Sequence, residues 1–177
     1  MPSSRHEIIP HICQFFVKLD PLTALDIGVG SGKYGMLFRE YTDLWRQRRM
    51  RPPWTRYLVG VEPWSRYLWG HHANFYDRVV SEQLPAVVEP WELAWSVATL
   101  EHMTPEQGHH TLQYLKEHAQ VAVVTVPENP GKQGPVFGNP YEEHRSRWTR
   151  DELSRYGKVK VIKARKPVLM LVMEANT

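Results

Sequence analysis

Cysteine is almost missing: Cys13 is the only one among 177 residues. A single thiol cannot close an internal disulfide, so packing alone must hold the fold, and a reducing cytoplasm suits such a chain. Long apolar runs are missing too. No stretch approaches the ~20 residues that a membrane-spanning helix needs. The opening residues, MPSSRHEIIPHICQFF, lack the unbroken apolar core of a signal peptide. The expectation is a cytoplasmic protein without a membrane partner. Neither sign of charge dominates, since 22 Lys and Arg against 19 Asp and Glu leave only +3. That balance permits an acidic partner without demanding one. Internal repeats are lacking. So is metal-ligand spacing: His71-His72 and His109-His110 are adjacent pairs, whose members point apart on a helix, and no carboxylate or cysteine cluster completes a set. No metal is expected.

What is present is ordinary globular material, 42% hydrophobic and 23% charged, enough for one domain over residues 1–177 with a sizeable core. Seven tryptophans and eight tyrosines should mostly fill that core. Short apolar runs alternate with helix-like segments, the pattern of an α/β fold with a mainly parallel sheet. Strands are expected at 23–28, 57–62, 77–81, 93–99, 119–127, 158–164 and 168–174. The last two flank only Arg165-Lys166-Pro167, too short for a crossover helix, so they should form an antiparallel hairpin at the edge of the sheet. Ile12, Phe15, Phe16 and Leu19 suggest a leading helix within 1–20, kinked or delayed by Pro10. Ser31 stands at an N-cap position ahead of Tyr34, Leu37, Phe38, Tyr41 and Leu44, and Thr104 and Thr149 open capping boxes.

The segment LDIGVGSGKYG, residues 25–35, is the chemical landmark. A triphosphate loop needs a glycine five residues before Gly32 and a hydroxyl after the lysine; the chain offers Ile27 and Tyr34. A dinucleotide loop needs G-x-G-x-x-G, but Lys33 occupies the third glycine position, a poor fit. The remaining pattern is Asp26, Gly28, Gly30 and Gly32, bare backbone offered to a ligand beside an acidic side chain.

With a strand before it and a helix after it, the segment resembles motif I of the class I S-adenosylmethionine-dependent methyltransferases. The resemblance continues in order. Glu62 ends the second strand, where the family binds the ribose hydroxyls. Ser81 or Glu82 follows the third strand, near the adenine. VATLEHMTP (97–105) matches the Leu-Glu-His signature of small-molecule enzymes, with Thr99 and Leu100 on the cofactor side. It covers roughly residues 20–175. It implies a Rossmann-like three-layer sandwich, a mostly parallel seven-stranded sheet with an antiparallel C-terminal hairpin strand, and S-adenosylmethionine as cofactor, held by Asp26, Gly28, Gly30, Ser31, Gly32 and Glu62. Trp64 is either an aromatic wall of that site or core. One departure is Trp91-Glu92-Leu93 at the fourth strand, which many relatives open with Asp.

Methyl transfer from a sulfonium is an in-line displacement that needs chiefly alignment. His102 and His144 are the candidates for a general base, the alternative being a structural imidazole bonded to a carbonyl or to Glu101 or Glu143. Residues 127–148, rich in Pro and Gly but carrying Phe137, Tyr141 and Trp148, read as a lid over the acceptor. RQRRMRPPWTR (46–56) is a helix end with a solvated loop, or else a phosphate grip. A small-molecule acceptor is expected; the alternatives are a nucleic-acid-modifying enzyme using 46–56, or a non-catalytic cofactor-binding domain.

Overall fold

A computed structural model describes residues 3–82 and 90–175. Its sheet is built from β1 (Thr23–Ile27), β2 (Tyr57–Val61), β3 (Arg78–Val80), β4 (Trp91–Val97), β5 (Ala119–Pro127), β6 (Lys158–Ile162) and β7 (Val168–Glu174). Their spatial order is β3-β2-β1-β4-β5-β7-β6. β1 to β5 run parallel. β7 runs antiparallel to both of its neighbours. The expected hairpin forms, but its antiparallel strand lies one place in from the edge. β6 takes the edge itself, and its exposed Lys158 and Lys160 discourage pairing with another chain.

Four helices cover the two faces: α1 (Ile9–Leu19), α2 (Lys33–Arg39), α3 (Pro105–His118) and α4 (Arg150–Ser154). Alternate strand residues divide the core. Ala24 and Leu58 join Ile12, Phe16, Tyr34 and Phe38 of α1 and α2. Leu25, Ile27 and Val59 join Leu112 and Leu115 of α3 and Leu153 of α4. Strands buried on both faces must be almost wholly apolar, and that is why these runs were visible as strands. Trp95 of β4 packs against Phe16 and Phe38, with ring centroids 4.8 and 5.6 Å away. Each such ring contributes roughly 1.5–3 kcal/mol by leaving water. Among the described residues, no helix is long and apolar enough to cross a membrane.

Several local expectations change. α1 accommodates Pro10 in its first turn, where a missing amide costs nothing. Ser31 does not cap α2; Gly32, at φ +79°, occupies that position without a side-chain bond. The α-helical turns end at Arg39, and Glu40–Leu44 widens into a π-turn. There the Thr42 hydroxyl donates to the Phe38 carbonyl at 2.7 Å. The fully buried Arg39 spans Asp43 and Asp77. β4 starts two residues early, at Trp91, and stops at Val97 because Ala98 adopts φ +52°. The capping boxes at Thr104 and Thr149 form as read.

Candidate functional site

β1 and its neighbours β2 and β4 end at the point where the strand order reverses, which leaves a crevice beyond their carboxyl ends. The chain leaves β1 through Gly28, at φ +85°. A Cβ there would stand 2.2 Å from Thr99 Oγ1, so only glycine lets this turn lie against the exit of β4. Gly30, at φ +52°, has open space where a side chain would project. Its amide donates to Glu62 Oε2 at 2.9 Å, and the Trp64 amide donates to Glu62 Oε1 at 3.0 Å. Glu62 is thus fixed at the end of β2 and only 6% exposed. Burial raises its pKa, with the two amides opposing the rise.

A cavity of about 390 Å³ occupies this crevice, within the ~300–1,000 Å³ span of small-molecule sites. Of the residues singled out from sequence, Gly28, Gly30, Ser31, Glu62, Glu82, Thr99, His102 and His144 line it. The others lie off its wall. Asp26 is buried behind the turn and accepts a 2.6 Å bond from the Tyr76 hydroxyl, which in turn accepts the Gly35 amide. Burial lifts its pKa to about 7. Its place is a brace between β1 and α2, behind the residues that line the cavity. Gly32 packs on His72, whose Nε2 lies 3.1 Å from the Gly30 carbonyl. Leu100 is core, and Ser81 is exposed. Trp64 contributes its amide to Glu62, while its ring faces Tyr141 at 6.3 Å.

Another part of the cavity wall comes from Glu101 and His102, in a single tight turn after β4, and from residues within 127–148. Glu101 is 2% exposed, its pKa pushed to about 8 by burial. Its Oε2 has no hydrogen-bond partner. His102 Nδ1 faces the Glu143 carbonyl at 3.2 Å, and its Nε2 lies 4.0 Å from Glu142 Oε2. Burial lowers the His102 pKa. His144 Nδ1 faces the Gly131 carbonyl, and the two imidazole rings are 5.0 Å apart. Glu142 accepts from the Tyr67 hydroxyl at 2.9 Å. Glu101, Glu142 and Tyr67 were not among the candidates from sequence. The last two meet across 75 positions, a distance at which no local pattern speaks.

The 127–148 segment is tied to β4's exit by backbone: the amides of Arg145 and Ser146 both donate to the Glu101 carbonyl. Of its three aromatics only Tyr141 lines the cavity. Trp148 is core, its Nε1 donating to Ser146 Oγ at 2.9 Å. Phe137 is 77% exposed at a turn with φ +51°. On the other side, Lys33 Nζ donates to the Ser4 carbonyl at 2.9 Å and to its hydroxyl at 3.0 Å, drawing residues 3–5 against the cavity. The basic segment turns inward on Asp20, which pairs with Arg46, Arg48 and Arg56. The Arg48 hydrogen bond, then Arg56, hold the Asp20 pKa at about 2.

No family model matches this sequence, and no curated protein does. Solved structures match in shape. A magnesium protoporphyrin IX methyltransferase from Synechocystis PCC 6803 with bound SAH superposes with a TM-score of 0.67 at 12% identity, over 97% of this chain and 84% of that one. The methyltransferase domain of a bacterial Hen1 gives 0.60 at 15% identity, over 97% and 98%. A small RNA methyltransferase, HEN1, gives 0.62 at 13%, over all of this chain and 26% of that one. The chain has the Rossmann-like fold of the class I S-adenosylmethionine-dependent methyltransferases, seven strands with an antiparallel C-terminal strand included.

Proposed function

We propose that the protein is an S-adenosylmethionine-dependent methyltransferase whose acceptor is a small molecule. One observation carries the reading. The bare turn at Gly28 and Gly30 faces a cavity of nucleoside size, and Glu62 stands beside it at the end of β2. Those residues fit the cofactor. A carboxylate offers about four acceptor sites. Two of Glu62's are taken by amides, so sites remain for the hydroxyls of a ribose. Ser31, Glu82 and Thr99 complete the wall on that side. A phosphate ligand fits less well, because the one lysine of the turn spends its ammonium on Ser4.

When bound, the cofactor supplies a methyl group made electrophilic by its sulfonium. The chain's contribution is to fix the nucleoside end, align an acceptor at the far end, and exclude water. Residues 127–148 act as the lid, fastened by the Glu101 carbonyl. His102 and His144 stand at the acceptor end. Among the structural neighbours, one is named for a porphyrin substrate and another for small RNA. The small-molecule reading is favoured because three of the five arginines of 46–56, Arg46, Arg48 and Arg56, converge on Asp20, which leaves Arg49 and Arg51 exposed.

Titration calorimetry with S-adenosylmethionine, NADH and ATP tests the cofactor, with binding expected for the first alone. A labelled-methyl screen over small metabolites, RNA and DNA tests the acceptor. Label in RNA that is lost steeply as salt rises would replace the small-molecule reading. Cofactor binding without label in any acceptor class would support a non-catalytic role.

A further inference from the structure

The acceptor end contains a cluster that methyl transfer by alignment does not need. One donor atom each from Glu101, His102 and His144 lies within 4.8 Å of the other two. The cluster draws on both sides of the crevice, since the first two follow β4 and the third belongs to the 127–148 segment.

The histidines are oriented as ligands. A carbonyl oxygen can only accept, so His102 Nδ1, facing the Glu143 carbonyl, and His144 Nδ1, facing the Gly131 carbonyl, each carry the ring proton. That leaves Nε2 of each neutral ring as a lone pair. Imidazoles that bind metals are commonly held this way, by a backbone carbonyl on the remote nitrogen. Glu101 supplies a second, independent sign. Its Oε2 is buried without a hydrogen-bond partner, a costly arrangement for a carboxyl oxygen unless something binds it. A fourth oxygen is near, with Glu142 Oε2 4.0 Å from His102 Nε2.

We propose that Glu101, His102 and His144 form a binding site for a divalent first-row transition-metal ion, with Glu142 in reach as a fourth ligand. Two imidazoles and a carboxylate select Mn²⁺, Fe²⁺, Co²⁺ or Zn²⁺ over Mg²⁺ and Ca²⁺, which prefer all-oxygen shells. Bonds of about 2.1 Å place donors roughly 3.4 Å apart around a tetrahedral ion, so separations of up to 4.8 Å close by at most about 1.4 Å on binding. The site assigns both imidazoles as ligands, where the sequence suggested proton acceptors and no metal. An ion held there would meet an oxygen of the acceptor; that consequence rests on the methyltransferase reading, whereas metal binding does not.

The test uses the full chain, stripped with a chelator and titrated with Mn²⁺, Zn²⁺, Mg²⁺ and Ca²⁺ by calorimetry. One Zn²⁺ or Mn²⁺ should bind per chain, at least tenfold more tightly than Mg²⁺ or Ca²⁺. Glu101→Gln and His144→Ala should each weaken it at least tenfold, with thermal melts confirming folded proteins. His144 is half-buried on the segment, so its variant keeps the test valid if the Glu101 variant unfolds. His118→Ala, at the far end of α3, should change nothing. The proposal fails if no transition metal binds with that preference, or if binding survives the His144 substitution. Neither outcome depends on S-adenosylmethionine, so failure here leaves the proposed activity to its own assays.

Discussion

At the glycine-turn end of the crevice, both oxygens of Glu62 receive backbone amides, from Gly30 and Trp64. Elsewhere on the cavity wall, Glu101 is buried just as deeply but keeps an oxygen with no partner. The two carboxylates differ in what completes them. Glu62 is satisfied by its own chain, so its end of the site is finished before any ligand arrives, and its shape depends on backbone more than on side chains. Glu101 is left for something from outside the chain. Such asymmetry has a physical logic: a preformed half binds one partner tightly, and an unfinished half gains its stabilisation only when occupied.

The comparison breaks most visibly at Gly28. Gly28→Val would force a branched side chain onto Thr99 at a φ of +85°. Left-handed strain and overpacking together should cost about 3 kcal/mol, lowering the urea midpoint by about 1–2 M and abolishing cofactor binding. A midpoint unmoved would mean the turn is not as tight as described. Next in size is the contrast between the two carboxylates. Glu62→Gln turns one acceptor into a donor facing an amide, and should weaken S-adenosylmethionine by roughly 10–100-fold. Glu101→Gln should leave that affinity within about twofold. Equal losses in both variants would erase the distinction between the two ends. A pH titration sharpens the role of Asp26. Its folded pKa of about 7 lies well above the ordinary aspartate value of about 3.9, so the folded state holds a proton that the unfolded chain has released. Its contribution is therefore full below pH ~4 and falls as pH rises to about 7, by up to roughly 1 kcal/mol per unit. Urea titrations across pH 4–7 should show that slope in the parent and a flatter one in Asp26→Asn.

Much of the fold was legible because strands buried on both faces leave little room for polar residues, as in YLVGV and AQVAVVTVP. The glycine turn and Glu62 were legible because bare backbone and a strand-end acid have few other uses there. Asp26 was placed in the wrong direction, although strand parity held the answer: it shares a face with Ala24, which packs under α1 and α2. The π-turn at Glu40–Leu44 was hidden, since one extra residue per turn leaves no mark in so short a segment. Composition suggested three lid aromatics, but only packing could sort Trp148 into the core, Tyr141 onto the cavity and Phe137 into water. The part of the cavity wall built by Tyr67, Glu101, Glu142 and His144 depends on contacts between distant parts of the chain.

The buried Trp148 couples the turn at Leu100–His102 to the packing of α3. A Cβ on Gly108, in the first turn of α3, would stand 2.2 Å from the indole. That indole holds Ser146, whose hydroxyl and amide hold the carbonyls of Leu100 and Glu101. One methyl group added at Gly108 would press on the indole and, through Ser146, on the carbonyls of Leu100 and Glu101. The shape of the cavity wall is thus set in part by packing in the core, at a residue that is not itself on that wall.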